Sequence, residues 1–165
     1  MKDSVKVLAT GGTIDKIYFD ARSTYEVGPP TIETIFNDLV LGFRYTVTSL
    51  MKKDSLDLTK QDRTIIHRAV LKDPADKIII THGTDTMVET AKKLSSIKDK
   101  VIVLTGALKP ALFKTTDAVF NIGCAVAAVQ LLPPGVYIAM NGRIFQHDTV
   151  RKNSRTGKFE TISKT

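Results

Sequence analysis

The chain has 165 residues and a formal net charge of +7, from 24 Lys and Arg against 17 Asp and Glu. Hydrophobic residues make up 42% and charged residues 25%, ordinary globular usage that excludes a disordered tail, a collagen-like rod and a coiled coil; the length suits one domain over residues 1–165. The basic residues fall in scattered pairs such as Lys52-Lys53, Lys92-Lys93 and Arg151-Lys152, without interleaved aromatics, so no nucleic-acid partner is expected.

At the N-terminus Lys2 precedes only a brief apolar run, Val5 to Ala9, followed by glycines. This is not a signal-peptide pattern, and with the lone Cys124, read as a small buried apolar residue, it points to a reducing cytoplasm. Val5 to Ala9 is the first of five β-branched segments that read as strands. Tyr45 to Leu50, Ile78 to Thr81, Val101 to Thr105 and Val136 to Met140 are the others.

Helical stripes alternate with them. Ile32, Ile35, Phe36, Leu39 and Val40 form the first stripe, Ile65, Ile66, Ala69 and Val70 the second, and Met87, Val88, Ala91 and Leu94 the third. Thr116 to Leu132 reads as a fourth helix, and its Ala125, Val126, Ala128, Val129, Leu131 and Leu132 exceed what one face buries, which suits an interface. The apolar run Ile122 to Pro133 is too short for a membrane span. The alternation predicts an α/β fold: a single-domain, open, mainly parallel sheet with helices on both faces, flavodoxin- or Rossmann-like. Lys16 to Pro30 reads as long and irregular, the kind of segment that forms a mobile lid.

Open parallel sheets bind ligands at the carboxyl ends of their strands, and the residues there are polar and hydroxyl-rich. Thr10-Gly11-Gly12-Thr13-Ile14-Asp15 follows the first strand, where two glycines permit a sharp turn and close approach to backbone N–H groups. Asp54, Ser55 and Asp57 follow the second strand. After the third comes His82-Gly83-Thr84-Asp85-Thr86, opening a helix whose N-terminal N–H groups suit a carboxylate or an oxyanion; Thr86 is expected to cap it. Neither G-x-G-x-x-G nor a P-loop occurs. The three histidines and single cysteine lack zinc-site spacing, so no metal and no cofactor is expected.

Taken together, T-G-G-T-I at residues 10–14 and H-G-T-D-T at 82–86 resemble the two signatures of the bacterial-type L-asparaginase/glutaminase family. The likeness continues through Tyr25-Glu26-Val27-Gly28, Asp54-Ser55-Leu56-Asp57-Leu58, Gly106-Ala107-Leu108-Lys109-Pro110 and Thr149-Val150-Arg151-Lys152. It implies the fold of that family's N-terminal domain and an amidohydrolase that releases ammonia from L-asparagine through a threonine nucleophile. Thr13 matches the nucleophile and Tyr25 the lid tyrosine, with Tyr18 an alternative. Thr84 and Lys152 match the second threonine and its lysine, while Asp85 and Ser55 match groups that hold the ends of the substrate. Gly12, Asp54 and Gly83 complete the implied binding set, and backbone N–H groups near Gly12 and Thr84 the oxyanion site. A threonine hydroxyl needs a neighbour to take its proton, and a lysine does so only where desolvation or nearby positive charge keeps part of it neutral.

Family members are about twice this length, with a second domain that supplies an acidic residue to the neighbouring subunit; the resemblance therefore implies a short form. Leu56 stands where many members have a polar residue, and Asp15 replaces a small one. With one carboxylate fewer around the ammonium group, weaker binding of asparagine is expected, and a lower tolerance for glutamine if the pocket has tightened; the alternative is that Asp15 or Glu26 of a symmetric partner restores the missing acid. A homodimer or homotetramer is implied. Two other functions fit the same residues: a non-catalytic amino-acid-binding or regulatory module, and an amidase subunit acting on an aminoacyl-tRNA.

Overall fold

The computed structural model describes residues 4–162; residues 1–3, including Lys2, and 163–165 lie outside the described residues. Among the described residues ten strands and four α-helices follow in chain order: β1 Ser4–Gly11, β2 Lys16–Phe19, β3 Thr24–Val27, α1 Thr31–Asn37, β4 Arg44–Lys53, α2 Lys60–Lys72, β5 Lys77–Thr81, α3 Met87–Leu94, β6 Val101–Thr105, α4 Ala118–Leu131, β7 Gly135–Met140, β8 Arg143–Gln146, β9 Val150–Lys152 and β10 Phe159–Thr161. Six strands form one sheet in the order β4-β1-β5-β6-β7-β8. The first five are parallel, and β8 closes the edge antiparallel to β7. Ignoring β8, this is the flavodoxin-like order, in which the chain reverses direction of travel between β1 and β5.

Side chains alternate across the central strands and so divide into two cores. Ile78, Ile80, Ile102, Leu104 and Ile138 meet Ile66 and Val70 of α2 and Met87, Ala91 and Leu94 of α3. From the opposite face Val5, Val7, Ile79, Val103 and Ala139 meet Ile32 and Phe36 of α1 and Ile122, Ala125 and Val129 of α4. The strands between β4 and β8 read as apolar runs because both faces are covered. β4 is an edge strand and alternates instead, with Tyr45 and Val47 inward and Arg44, Thr46 and Thr48 outward.

Several details differ from the sequence reading. Residues 16–27 form an antiparallel hairpin, β2 on β3, pairing Tyr18 with Tyr25 through a 3-10 turn at Asp20–Arg22. α1 ends at Asn37, so Leu39 and Val40 lie beyond it and are exposed. Ala125, Ala128 and Val129 of α4 are core residues rather than an interface stripe; Leu131 is exposed, Val126 and Leu132 are partly buried, and Cys124 is half-buried instead of buried. β7 and β8 are joined by Asn141-Gly142, both at positive φ (54° and 72°), the two-residue turn that Asn-Gly favours. Among the described residues no helix is long and apolar enough to cross a membrane.

Candidate active site

The carboxyl ends of β1 and β5 are neighbours at the switch point, and each carries one of the glycine-bearing turns. Gly12 has φ +89°, and a Cβ there would overlap the backbone of Gly83. A Cβ on Gly83 would in turn stand 2.6 Å from Ser55 Cβ and Oγ. Two positions without side chains thus let three turns pack backbone against backbone, which brings Thr13, Ser55 and Thr84 to one place.

Thr13 begins a 3-10 turn, Thr13–Asp15. It is half-buried, and its hydroxyl makes no hydrogen bond among the described residues. Thr84 is buried, and its Oγ1 accepts a 2.8 Å hydrogen bond from Lys152 Nζ, which also donates to Asp85 Oδ1 at 2.5 Å. Lys152 reaches Thr84 from the last position of β9, a strand that pairs with β10 as a ribbon outside the main sheet and buries Val150 in the core beside Phe159 of β10. That ribbon is anchored to the main sheet by the Phe159 N–H donating to Asn141 Oδ1 at 2.8 Å. The Lys152 side chain is 17% exposed and that of Asp85 45%. The charge nearest the amine is a carboxylate, not a second cation.

Ser55 opens another 3-10 turn and is buried. Its Oγ accepts from the Asp85 N–H at 3.2 Å, and its carbonyl accepts from Thr86 Oγ1 at 2.8 Å. Thr86 occupies the N-cap position of α3, but its hydroxyl serves this turn-to-turn bond and does not cap. Beneath the second turn lies the fully buried His82. A carbonyl can only accept, so its Nδ1–H donates to Gly83 O at 2.7 Å and Nε2 accepts from Thr90 Oγ1 at 2.8 Å. Burial pushes this imidazole down to about 4; the Arg63 cation lowers it further, while the Gly83 bond opposes the shift. Because every peptide described is trans, holding the Gly83 carbonyl inward turns the Thr84 N–H away from the histidine.

Asp54 stands apart from this group. It forms a 2.7 Å ion pair with Lys16 at the root of the hairpin and accepts from the Leu56 N–H. Burial alone would raise its carboxyl, but the Lys16 hydrogen bond and charge, with the N–H groups of Leu56 and Ser55, outweigh burial and hold it below the ordinary carboxylate range. Leu56 points outward and is exposed. Tyr18 and Tyr25, each 51% exposed, stack edge-on at 5.4 Å, and Tyr25 meets Phe113 at 5.8 Å. Both tyrosines therefore occupy one hairpin face. Among the described residues no three His, Cys, Asp or Glu side chains are grouped to hold a metal ion.

Sequence reasoning missed the structural roles of Asp15, which is 1% exposed, and of Asn141. The expectation that Asp15 supplies a compensating acid to a neighbouring subunit is corrected, because the residue is buried within its own chain and cannot reach one. An Asn-Gly pair between two apolar runs was the available signal for Asn141.

The model of the Asparaginase, N-terminal family matches residues 4–164. Over 169 residues the chain is 31% identical to the glutaminase-asparaginase of Acinetobacter glutaminasificans, covering 92% of this chain and 50% of that protein. It is 28% identical over 183 residues to a glutamyl-tRNA(Gln) amidotransferase component of Methanococcus maripaludis, covering 98% of this chain and 43% of that one. The solved thermostable L-asparaginase of Thermococcus kodakarensis superposes with a TM-score of 0.86 at 27% identity, over 98% of this chain and 52% of that one. The chain thus spans about half the length of the curated relatives it matches.

Proposed function

The chain belongs to the asparaginase family through its N-terminal domain, and from that premise we propose that it is an amidohydrolase converting L-asparagine to L-aspartate and ammonia. The observation that carries the reading is the 2.8 Å hydrogen bond from Lys152 to Thr84, set beside a turn whose Thr13 hydroxyl has no partner among the described residues. In the proposed chemistry Thr13 Oγ1 attacks the side-chain amide carbon. The Thr84 N–H and the N–H groups near Gly12 stabilise the oxyanion. The C–N bond then breaks, ammonia leaves after protonation, and water hydrolyses the acyl-threonine to aspartate.

The proton of Thr13 has two routes out, the Thr84–Lys152 pair and the hairpin tyrosines Tyr18 and Tyr25. Asp85 and Ser55 support binding of the substrate's charged ends. We propose a cytoplasmic enzyme, consistent with a single half-buried cysteine, and a homodimer or homotetramer, supported by the exposed Val119, Phe120 and Leu131 of α4.

The test is ammonia release by purified protein given asparagine, glutamine or buffer. Thr13→Ala and Lys152→Met should each abolish it while the circular-dichroism spectrum is kept. No release by the wild-type protein, with asparagine still bound, would favour a binding module. The amidotransferase relative and the exposed aromatic rim of Tyr18, Phe19, Tyr25 and Phe113 favour a second reading, action on an aminoacyl-tRNA. Retention of tRNA at moderate salt with no turnover of free asparagine would select it.

A further inference from the structure

Asp15 has no task in the proposed chemistry, yet three parts of the chain converge on it. It closes the turn that starts at Thr13, and β2 leaves directly from it. Its carbonyl accepts the Gly28 N–H at 2.8 Å, just after β3 returns, and its Oδ1 accepts the Thr31 N–H at 2.8 Å, where α1 begins. One residue earlier, the Ile14 carbonyl accepts the Ala111 N–H at 3.1 Å and the Thr31 hydroxyl at 3.4 Å.

We infer that Asp15 is a positioning residue: by clasping Gly28 and Thr31 it fixes the root of the β2–β3 hairpin and so sets where Tyr18 and Tyr25 stand relative to Thr13. The inference rests on the amidohydrolase reading for its kinetic consequence but not for its structural one. The α1 N-cap is Pro30, which has no side-chain acceptor, so Asp15 supplies that acceptor from across the chain. α1 has only seven residues and depends on such support. Between Gly28 and Thr31 lie Pro29 and Pro30, whose fixed φ makes the link stiff, so the two clasped points move together. No ion pair reaches Asp15 among the described residues; the amine of Lys16 goes to Asp54, and Glu26 pairs with Arg22. Burial raises its carboxyl to about 6 against the Thr31 hydrogen bonds that lower it. A buried, unpaired acid whose carboxyl holds the start of α1 while its own main-chain carbonyl holds the end of the hairpin is placed for geometry.

The experiment compares Asp15→Ala and Asp15→Asn with wild type by steady-state ammonia release and by hydrogen exchange of the hairpin amides. A displaced catalytic group costs about tenfold to a hundredfold in rate. Asp15→Ala should lose that much kcat with KM within about threefold, and the amides of residues 17–28 should exchange about tenfold faster than wild type while those of α2 and α4 do not. Asp15→Asn keeps the acceptor and should stay within about threefold of wild type in both measurements. If Asp15→Ala does not fold, Thr31→Pro takes its place, since it deletes the donor N–H at a position where a helix tolerates proline. Unchanged hairpin exchange, unchanged kcat, or equal losses in the Asn and Ala variants would overturn the inference. If wild type releases no ammonia, the amidohydrolase reading fails alone, and the exchange arm still decides whether Asp15 holds the hairpin.

Discussion

Replacing Asp15 by Asn should shift the stability difference from wild type in the variant's favour as pH rises from 4.5 to 8. Folding raises this carboxyl from 3.8 to about 6, so the folded state binds its proton more tightly than the unfolded one. A raised carboxyl contributes stability that is complete below the unfolded value and is lost as pH rises through the folded one. Two units correspond to about 3 kcal/mol, nearly all of it lost by pH 8, against about 1 kcal/mol lost at pH 4.5. Asparagine has no such titration, and its Oδ1 can still accept the Thr31 N–H. Any penalty for the new amide donors is independent of pH and cancels in the comparison. The stability difference between variant and wild type should therefore grow by about 2 kcal/mol from pH 4.5 to pH 8. Urea unfolding at several pH values with unchanged m-values measures it directly. A gap that stays flat, or one that shrinks as pH rises, would refute the reasoning.

Gly83→Ala places a methyl 2.6 Å from Ser55 Cβ and 2.9 Å from its backbone N, so one turn must shift. It should lose about 1–3 kcal/mol in thermal unfolding, with ammonia release falling in parallel. The Lys16–Asp54 pair, with side chains 29% and 28% exposed, should show a coupling of about 0.5–1 kcal/mol in a double-mutant cycle, reduced in about 0.5 M salt; zero coupling at low salt would show that it does not brace the hairpin. Glu26 already pairs with Arg22 at 3.0 Å, so Glu26→Gln should leave KM for asparagine within about threefold, whereas loss of a charge-assisted substrate contact would raise it about tenfold or more.

The parts of this fold that were legible in the sequence are those whose burial is two-sided. Ile78-Ile79-Ile80 and Val101-Ile102-Val103-Leu104 announce central strands because helices cover both faces, and the turns after β1 and β5 carry glycines whose spacing is specific. The hairpin was not legible, because β2 and β3 bury little: Ile17 and Val27 are its partly buried apolar residues, while Tyr18, Phe19 and Tyr25 face out. Its Asp20–Arg22 turn has no glycine, and the left-handed position falls on Ser23 at φ 51°. Leu39 and Val40 misled for the opposite reason, being apolar residues that simply continue past the helix end. Asp15 was unreadable in a different way, since a carboxylate followed by a lysine looks like a solvated turn until Gly28 and Thr31 fold back upon it.

Seen from the switch point, the candidate site is built from backbone first and side chains second. Gly12 and Gly83 allow the first two turns to touch, and Gly83 also admits Ser55, so the relative places of Thr13 and Thr84 depend on what is missing at these positions. Each turn is then tied from outside. Thr10 Oγ1 donates to Thr81 O at 2.9 Å between β1 and β5, His82 holds the Gly83 carbonyl, Thr86 holds Ser55, and Asp15 holds the hairpin. Lys152 is the exception, arriving on a three-residue strand outside the main sheet. Its place depends on the burial of Val150 and Phe159 in the core, on the Asn141–Phe159 bond and on its own contacts with Thr84 and Asp85. The amine is accordingly the component whose position should respond most to substrate charge, since a bound ammonium or carboxylate would compete for the same Asp85 and Lys152 groups that now hold each other.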